Sequence, residues 1–381
     1  MHPMRKDKVY YKKRNIFVHT GSYFTKHPAG ATPTMMNAPK DIHLSDISCY
    51  RSELMGVAML FVLAFHVGLP KTDFMHPLVR CGNIGVDIFL FLSGIGLWYS
   101  WTKCPSLWHF FKRRYLRVYP VWLIVACLFY IPDYMQHASK LSPGVVDLIA
   151  NILVGWSFWR MDDLTFWFVP TIMMLYTFAP AYMALIRRCD AYRWLPVVFI
   201  VWAVMVYYYP PLRHSVGHIE IFWSRVPIFL IGINCGQIVK EQRVVNIGAG
   251  VMILMLFVLS LVMCMKFEEM WRGRFPLFIE RMVYIPLTVT SVIILARLMC
   301  RAPGWLCRGL AFIGTYSLEI YLVHYEFVLR HLRQYKLGFW LTLIVVTIAA
   351  TAVAWLINKA IAACRLERAA EKIKNKVCSR Q

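Results

Sequence analysis

LMGVAMLFVLAFHVGLP, residues 54–70, is followed after eleven residues by GNIGVDIFLFLSGIGLWYSW, residues 82–101. Each stretch is apolar along nearly its whole length rather than on one face, and each is near the ~20 residues that cross the hydrocarbon core of a bilayer. An amphipathic helix of a soluble domain would carry polar residues around half its circumference, so both read as membrane spans. The pattern then repeats at roughly 118–132, 164–186, 194–210, 222–239, 247–265, 280–299, 309–329 and 338–361. The expected fold is an all-α multi-pass membrane protein of about ten transmembrane helices. An eleventh stretch, 143–159, carries Pro143, Gly144, Asp147, Asn151 and Gly155 and could span or re-enter.

Composition agrees. Of 381 residues, 59% are hydrophobic and only 16% charged, with mean hydropathy +0.52, whereas a soluble chain carries about a quarter charged residues. Disordered, fibrous and secreted classes are excluded. The eleven cysteines form no CxxC pair and many lie in apolar runs, which implies neither a disulfide framework nor a zinc site. The net charge of +22 is the excess that a membrane protein gathers in its cytoplasmic loops, and no nucleic-acid partner is expected.

The distribution of Lys and Arg selects a topology. With ten spans and a cytoplasmic N-terminus, the inside segments hold 29 of them and the outside segments 11. Letting 143–159 span would put Arg187, Arg188, Arg193 and the basic C-terminal tail outside, against the positive-inside tendency. Both termini are therefore expected in the cytoplasm, with 143–159 short or re-entrant. Residues 1–50 are basic, aperiodic and lack an apolar run that would make a cleavable signal. Two readings fit them: a cytoplasmic tail drawn to anionic lipid, or a leader ahead of a true start at Met35 or Met36. The organisation is thus a 1–50 basic segment, a 51–363 membrane domain and a 364–381 basic tail.

An ionisable residue inside a span costs about 2.5–3.5 kcal/mol at its centre and is a functional candidate by default. His66 lies near the outer end of the first span and Asp87 near that of the second, with Arg80 and Asn83 on its helical face. Arg225 opens the sixth span. Ser317, Glu319, Tyr321 and His324 lie in the ninth, and Trp167 at the start of the fourth. His66, Asp87, Trp167, Arg225 and His324 converge toward one outward-opening polar chamber. At the opposite side KRRYLRVYP carries Lys112, Arg113, Arg114 and Arg117, and a close guanidinium pair suits phosphate. Blander readings stand beside these. The arginines also serve as a topology signal, His66 as a core histidine, Asp87 with Arg80 as a structural ion pair, and Tyr321 as packing. Ser93 and Ser317 could be nucleophiles or could bond a helix carbonyl. His214 and His218 have metal-ligand spacing but no third ligand, so no metal is expected.

Taken in order, His66 closing the first span, GVDIFLFLSG at 85–94, RRYLRVYP at 113–120, WFVPTIMMLYTFAP at 167–180, Arg225 to Gly232 and SLEIYLVH at 317–324 resemble the membrane-bound acyltransferase family 3, from about residue 50 to the last span. The resemblance implies transfer of an acyl group, usually acetyl, from cytoplasmic acetyl-CoA to a hydroxyl of a cell-surface or exported glycan. It implies a bacterial inner membrane and acyl-CoA as donor substrate with no bound cofactor. The family's catalytic histidine maps to His66 and its paired arginines to Arg114 and Arg117, with Arg113 beside them. The family arginine, separated from the histidine by ten intervening residues, maps to Met55, one turn after Arg51.

On this reading His66 is a general base, Asp87 or Glu319 orients it or pairs with Arg225, and Arg51 or Arg225 stabilises the oxyanion. His324, Tyr321 and Trp167 complete the expected site. Glycan specificity is expected in outer loops 70–81, 133–163, 211–221 and 266–279, and envelope biosynthesis proteins are possible partners. The alternative class is a transporter or exporter, although no matching halves with broken helices are visible.

Overall fold

The computed structural model describes residues 42–136, 140–161, 163–271 and 273–378, with side chains as far as Cys364. The basic segment 1–50 therefore falls largely outside the described residues, as do the side chains of the 364–381 tail beyond its first residue. Residues 42–359 belong to one compact unit.

Helix α1 (Arg51–Val67) ends where Gly68 takes φ 70°, a conformation open to glycine, two residues before Pro70. A short turn of helix, His76–Arg80, leads into α2 (Ile84–Lys103). Then come α3 (Leu107–Met135), α4 (Val145–Val154), α5 (Phe168–Arg188), α6 (Leu195–Tyr208), α7 (Glu220–Lys240), α8 (Ile247–Lys266) and α9 (Leu277–Met299). The chain closes with α10 (Gly304–Thr315), α11 (Ser317–Val323) and α12 (Phe339–Cys378). Ile42–His43 and Val244–Val245 form a minimal antiparallel pair.

Among the described residues, eight helices are long and apolar enough to span, or nine when the pair Gly304–Thr315 and Ser317–Tyr335 counts as one. Against the ten expected, the difference is α1. Its 17 residues give a length of about 25 Å at 1.5 Å per residue, the lower edge for a span. The 143–159 stretch does not span. It is divided at Gly155, φ 65°, into α4 and a six-residue helix, Trp156–Met161. Two further expectations change. The third helix begins at Leu107 rather than near 118, which carries Arg113, Arg114 and Arg117 into its first three turns. The ninth is not continuous: it bends by 61° at Tyr316 and widens into a π-turn over His324–Leu329.

Helix α2 is the centre of the fold. Over its span, from His76 to Lys103, 78% of the apolar window is buried inside the protein, against 11% for the span built on α8, which faces outward. Lipid tails are as apolar as leucine, so burial in a bilayer brings helices together by close packing rather than by exclusion of water. Glycines at the crossings supply it. A Cβ at Gly232 of α7 would strike the backbone carbonyl of Phe91 in α2, and one at Gly94 the carbonyl of Phe229 in return. On its other face α2 holds α1, which in turn crosses α10 with Gly314 against the backbone of Ser52. Helices α1 and α2 run antiparallel, with Gly85 beside Ala58 and Gly96 beside the Arg51 guanidinium.

Candidate functional site

The polar residues within the bundle fall into two groups at opposite ends of α1. Arg51 and His66 are fifteen residues apart, a separation of about 22 Å along a helix.

At the far end of α1, His66 meets His324 of the π-turn. His324 Nε2 lies 3.3 Å from His66 Nδ1, with ring centroids 4.8 Å apart. The hydrogen-bond partners fix the tautomers by inference. His324 Nδ1 sits 2.7 Å from the Tyr321 carbonyl and 3.2 Å from that of Ile320, so it carries the hydrogen and donates. Its Nε2 is then an acceptor. His66 Nδ1 lies 2.9 Å from the Val62 carbonyl and faces that Nε2, so it too carries hydrogen. The remaining nitrogen, His66 Nε2, is left with a free lone pair, the arrangement a general base requires. The π-turn gives His324 its place: widening the helix rotates the residues after Val323 toward α1. Arg333 donates to the His66 carbonyl at 3.2 Å and lies 5.3 Å over the Tyr325 ring, itself 5.6 Å from His66. Arg80 stacks on Phe65 at 4.0 Å.

A chain of contacts runs inward from the histidine pair. Tyr321 lies 5.8 Å from His324 and 5.1 Å from Phe168. Trp167 adjoins Phe168 and faces the Arg225 guanidinium at 5.4 Å. Arg225, 1% exposed, pairs with Asp87 of α2 and donates to Asn83 Oδ1 at 3.2 Å. Asp87 is thus brought to Arg225, not to His66. Glu319 accepts from the Asn358 amide at 2.9 Å and likewise touches no histidine.

At the near end of α1, Arg51 lies beside Gly96 of α2 within electrostatic range of Arg114 and Arg117. Arg114 is half-buried, 6.0 Å from the rings of Phe110 and Tyr176, while Arg113 is exposed. The Nε atoms of Arg51 and Arg114 are enclosed without a hydrogen-bond partner, so two guanidinium N–H groups are left unsatisfied at this end of α1. A cavity of about 520 Å³ lies at the same end of α2, lined by Trp98, Arg187, Arg193 and Lys240. Glu241 on its rim has its carboxyl held below the usual range by the Gln237 amide, which donates to it at 2.8 Å, and by Arg243.

Sequence reasoning passed over a third cluster. Glu268 accepts from the Tyr284 hydroxyl at 2.7 Å and pairs with Arg80 at 3.5 Å, and Arg281 pairs with Glu280 at 3.0 Å. Glu280 and Arg281 stand in the first turns of an apolar helix, a signal of the same kind that picked out Asp87. Among the described residues, neither Ser93 nor Ser317 has a histidine or carboxylate in hydrogen-bond contact. His218 bonds the Trp159 carbonyl at 2.7 Å, and no cluster of three metal-ligating side chains occurs among the described residues.

A family model described as an acyltransferase domain matches residues 54–359. No curated protein and no solved structure matches the chain.

Proposed function

The chain belongs to the acyltransferase family whose domain model covers most of its length, and from that premise we propose that it moves an acetyl group from cytoplasmic acetyl-CoA to a hydroxyl of a cell-surface or exported polysaccharide. The supporting observation is the division of α1 into two ends. Unsatisfied guanidinium donors of Arg51 and Arg114 lie at one end, with Arg117 near them, and a histidine whose Nε2 carries a lone pair lies at the other. A CoA thioester has the same division, with phosphates at one end of a long flexible arm and the reacting carbonyl at the other. Arginine suits the phosphates because its fork of donors matches their oxygens.

In the reaction, His66 Nε2 takes the proton of the acceptor hydroxyl as its oxygen attacks the thioester carbonyl. The C–O bond forms, the C–S bond breaks, and the imidazolium returns the proton to the departing thiolate. His324 holds the reactive tautomer, and Tyr321, Trp167 and the Asp87–Arg225 pair form the line of contacts that runs inward from it. Arg51 is assigned to the donor phosphates, since about 22 Å of helix separates it from the base. Direct transfer is favoured over an acyl-serine because, among the described residues, no base stands beside Ser93 or Ser317. With α1 as a tenth span, the arginine end faces the cytoplasm together with both termini, in a bacterial inner membrane, and envelope biosynthesis proteins supply or carry away the glycan.

The test is mass spectrometry of base-labile esters on surface and exported glycans from cells carrying the wild-type gene, a deletion or His66→Ala at matched protein level. An ester lost in both altered strains supports the reading and names the acceptor. Substantial ester in His66→Ala cells removes His66 from the catalytic role.

A further inference from the structure

A second cavity, of about 530 Å³, opens at the end of α1 that carries His66. Its wall includes Val67 and Gly68, which follow His66 directly, and Arg333, which also donates to the His66 carbonyl. Its size lies within the range of small-molecule sites. Only one side of this space, around Pro70 and Asp73, falls in a loop expected from sequence to set specificity; the other is the connection between the π-turn and α12.

The charge of this cavity is unbalanced. Arg333 and Lys336 line it with no carboxylate partner among the described residues, while Asp73, the one acidic residue of the wall, accepts from the Met75 backbone N–H at 2.8 Å. Arg333 is braced by the Tyr325 hydroxyl at 3.3 Å as well as by His66. Lys336 has φ 49°, a left-handed conformation that glycine or asparagine adopts far more readily than lysine. A lysine kept there at a cost in backbone energy points to its ammonium rather than its backbone as the useful feature. Trp340 adds an aromatic face, 67% exposed, whose negative π-surface suits the partly positive C–H face of a sugar ring.

We infer that this cavity receives the acceptor and selects one bearing an anionic group, a carboxylate or a phosphate, close to the hydroxyl that is acylated. The inference rests on the acyl-transfer reading above. Arg333 and Lys336 hold the anion, Trp340 supports the sugar ring, and the hydroxyl is directed inward to His66. The phosphate of a lipid headgroup offers the same chemistry from a different source, so the test separates the two.

Cells carry wild type, His66→Ala, Lys336→Asn or Lys336→Arg at matched membrane levels, and esterified glycans are fractionated by anion exchange before mass spectrometry. Asparagine suits the left-handed backbone and removes the ammonium together with its long stem, and arginine restores a cation of similar reach. The expected result is that esters lost in His66→Ala sit on glycans retained by the exchanger, fall at least fivefold in Lys336→Asn and stay near wild type in Lys336→Arg. Esters that depend on His66 but sit on neutral glycans, or that are unchanged in Lys336→Asn, overturn the anion selection and leave acyl transfer standing. If no ester depends on His66, the acyl-transfer reading fails and this inference with it. For the second arm, the glycan stripped of esters by base is the acceptor for full-length protein in phosphatidylcholine vesicles with or without phosphatidylglycerol. The fivefold defect of Lys336→Asn is expected in phosphatidylcholine alone. A defect confined to phosphatidylglycerol vesicles assigns the cations to lipid and overturns their role toward the acceptor.

Discussion

Asp87 and Arg225 show what a buried charge demands of its neighbours. Arg225 is almost wholly enclosed, and Asp87 with Asn83 are its direct polar contacts, so removing the carboxylate leaves the guanidinium without its paired counter-charge. Breaking a buried pair from one side costs about 3–5 kcal/mol. Asp87→Ala should therefore lose folded protein in a detergent thermal-unfolding assay, and Asp87→Asn, which keeps one acceptor, should lose less. An Asp87→Ala protein as stable as wild type would show that the pair is solvated. His324 makes a different demand. If it holds the reactive tautomer of His66, His324→Leu should lower kcat with KM little changed, while His324→Gln, whose amide oxygen can accept from His66 Nδ1, should recover part of the rate. Equal rates in the two variants would reduce His324 to packing. Each histidine was visible in the sequence as a polar residue in an apolar run, but their meeting was not. Helical periodicity reports neighbours three or four positions apart, and these two are separated by 258 positions. Arg51 shows the opposite limit. Its family counterpart maps to Met55, eleven positions before the histidine, and the rise of an α-helix alone explains why a residue fifteen positions away joins the arginines of α3 instead.

Helix boundaries and contacts follow from local rules the sequence states only in part. The start of α3 at Leu107 rather than 118 reflects a cationic stretch, KRRYLR, with good helix propensity once hydropathy is set aside. The break at Tyr316 is harder to foresee, because Gly314 and Tyr316 are tolerated inside helices as well as at their ends. Glycine, conversely, allows a sharp contrast. Gly232→Ala would push a methyl into the Phe91 carbonyl, which belongs to the backbone and cannot turn aside, whereas the space beside Gly309 is open. Overpacking costs about 1–3 kcal/mol, so Gly232→Ala should lower the unfolding temperature, and Gly309→Ala should leave it unchanged or raise it slightly through helix propensity. The segment between α3 and α5 has its own anchor. Asn151, fully buried, donates to the Leu141 carbonyl and to Ser142 Oγ, each at 2.9 Å, and accepts from the Ser157 backbone N–H at 2.6 Å. Asn151→Ala strands these partners at about 1–3 kcal/mol, and limited proteolysis should cut first between residues 136 and 166. The sequence marked Asn151 as polar within an apolar run; its use as the hub of a folded-back segment emerged only from the contacts.

At the scale of the whole molecule, the division of charge ties fold to function. Of the ten spans expected from hydropathy, eight are long apolar helices among the described residues, a ninth is a pair bent by 61°, and the tenth, α1, has a length at the lower edge for crossing a bilayer. Since α1 carries Arg51 at one end and His66 at the other, whether it crosses decides whether the donor and acceptor ends face opposite compartments. Helix α1 is held on both faces by α2 and α10, and α2 is the most buried span, so a short helix in this position is supported by protein along its length and need not match the full bilayer by itself. A local shortfall of this kind is met by thinning of the bilayer or by flanking cations reaching to the interface. The prediction is direct. Single cysteines placed in an otherwise cysteine-free protein at Ser48, before α1, at Lys71, between α1 and α2, and at Ser106, between α2 and α3, should react with a membrane-impermeant maleimide from alternating sides: position 71 in intact cells or spheroplasts, positions 48 and 106 only after the membrane is opened. Labelling of positions 48 and 71 from one side would mean that α1 does not cross, and a transfer that begins on one face and ends on the other would lose its path; labelling of 71 and 106 from one side would say the same of α2. Opposite labelling, with Arg51→Ala raising the KM for acetyl-CoA several-fold and His66→Ala abolishing turnover, would place the two halves of the chemistry on the two sides that the 29-to-11 distribution of basic residues indicates.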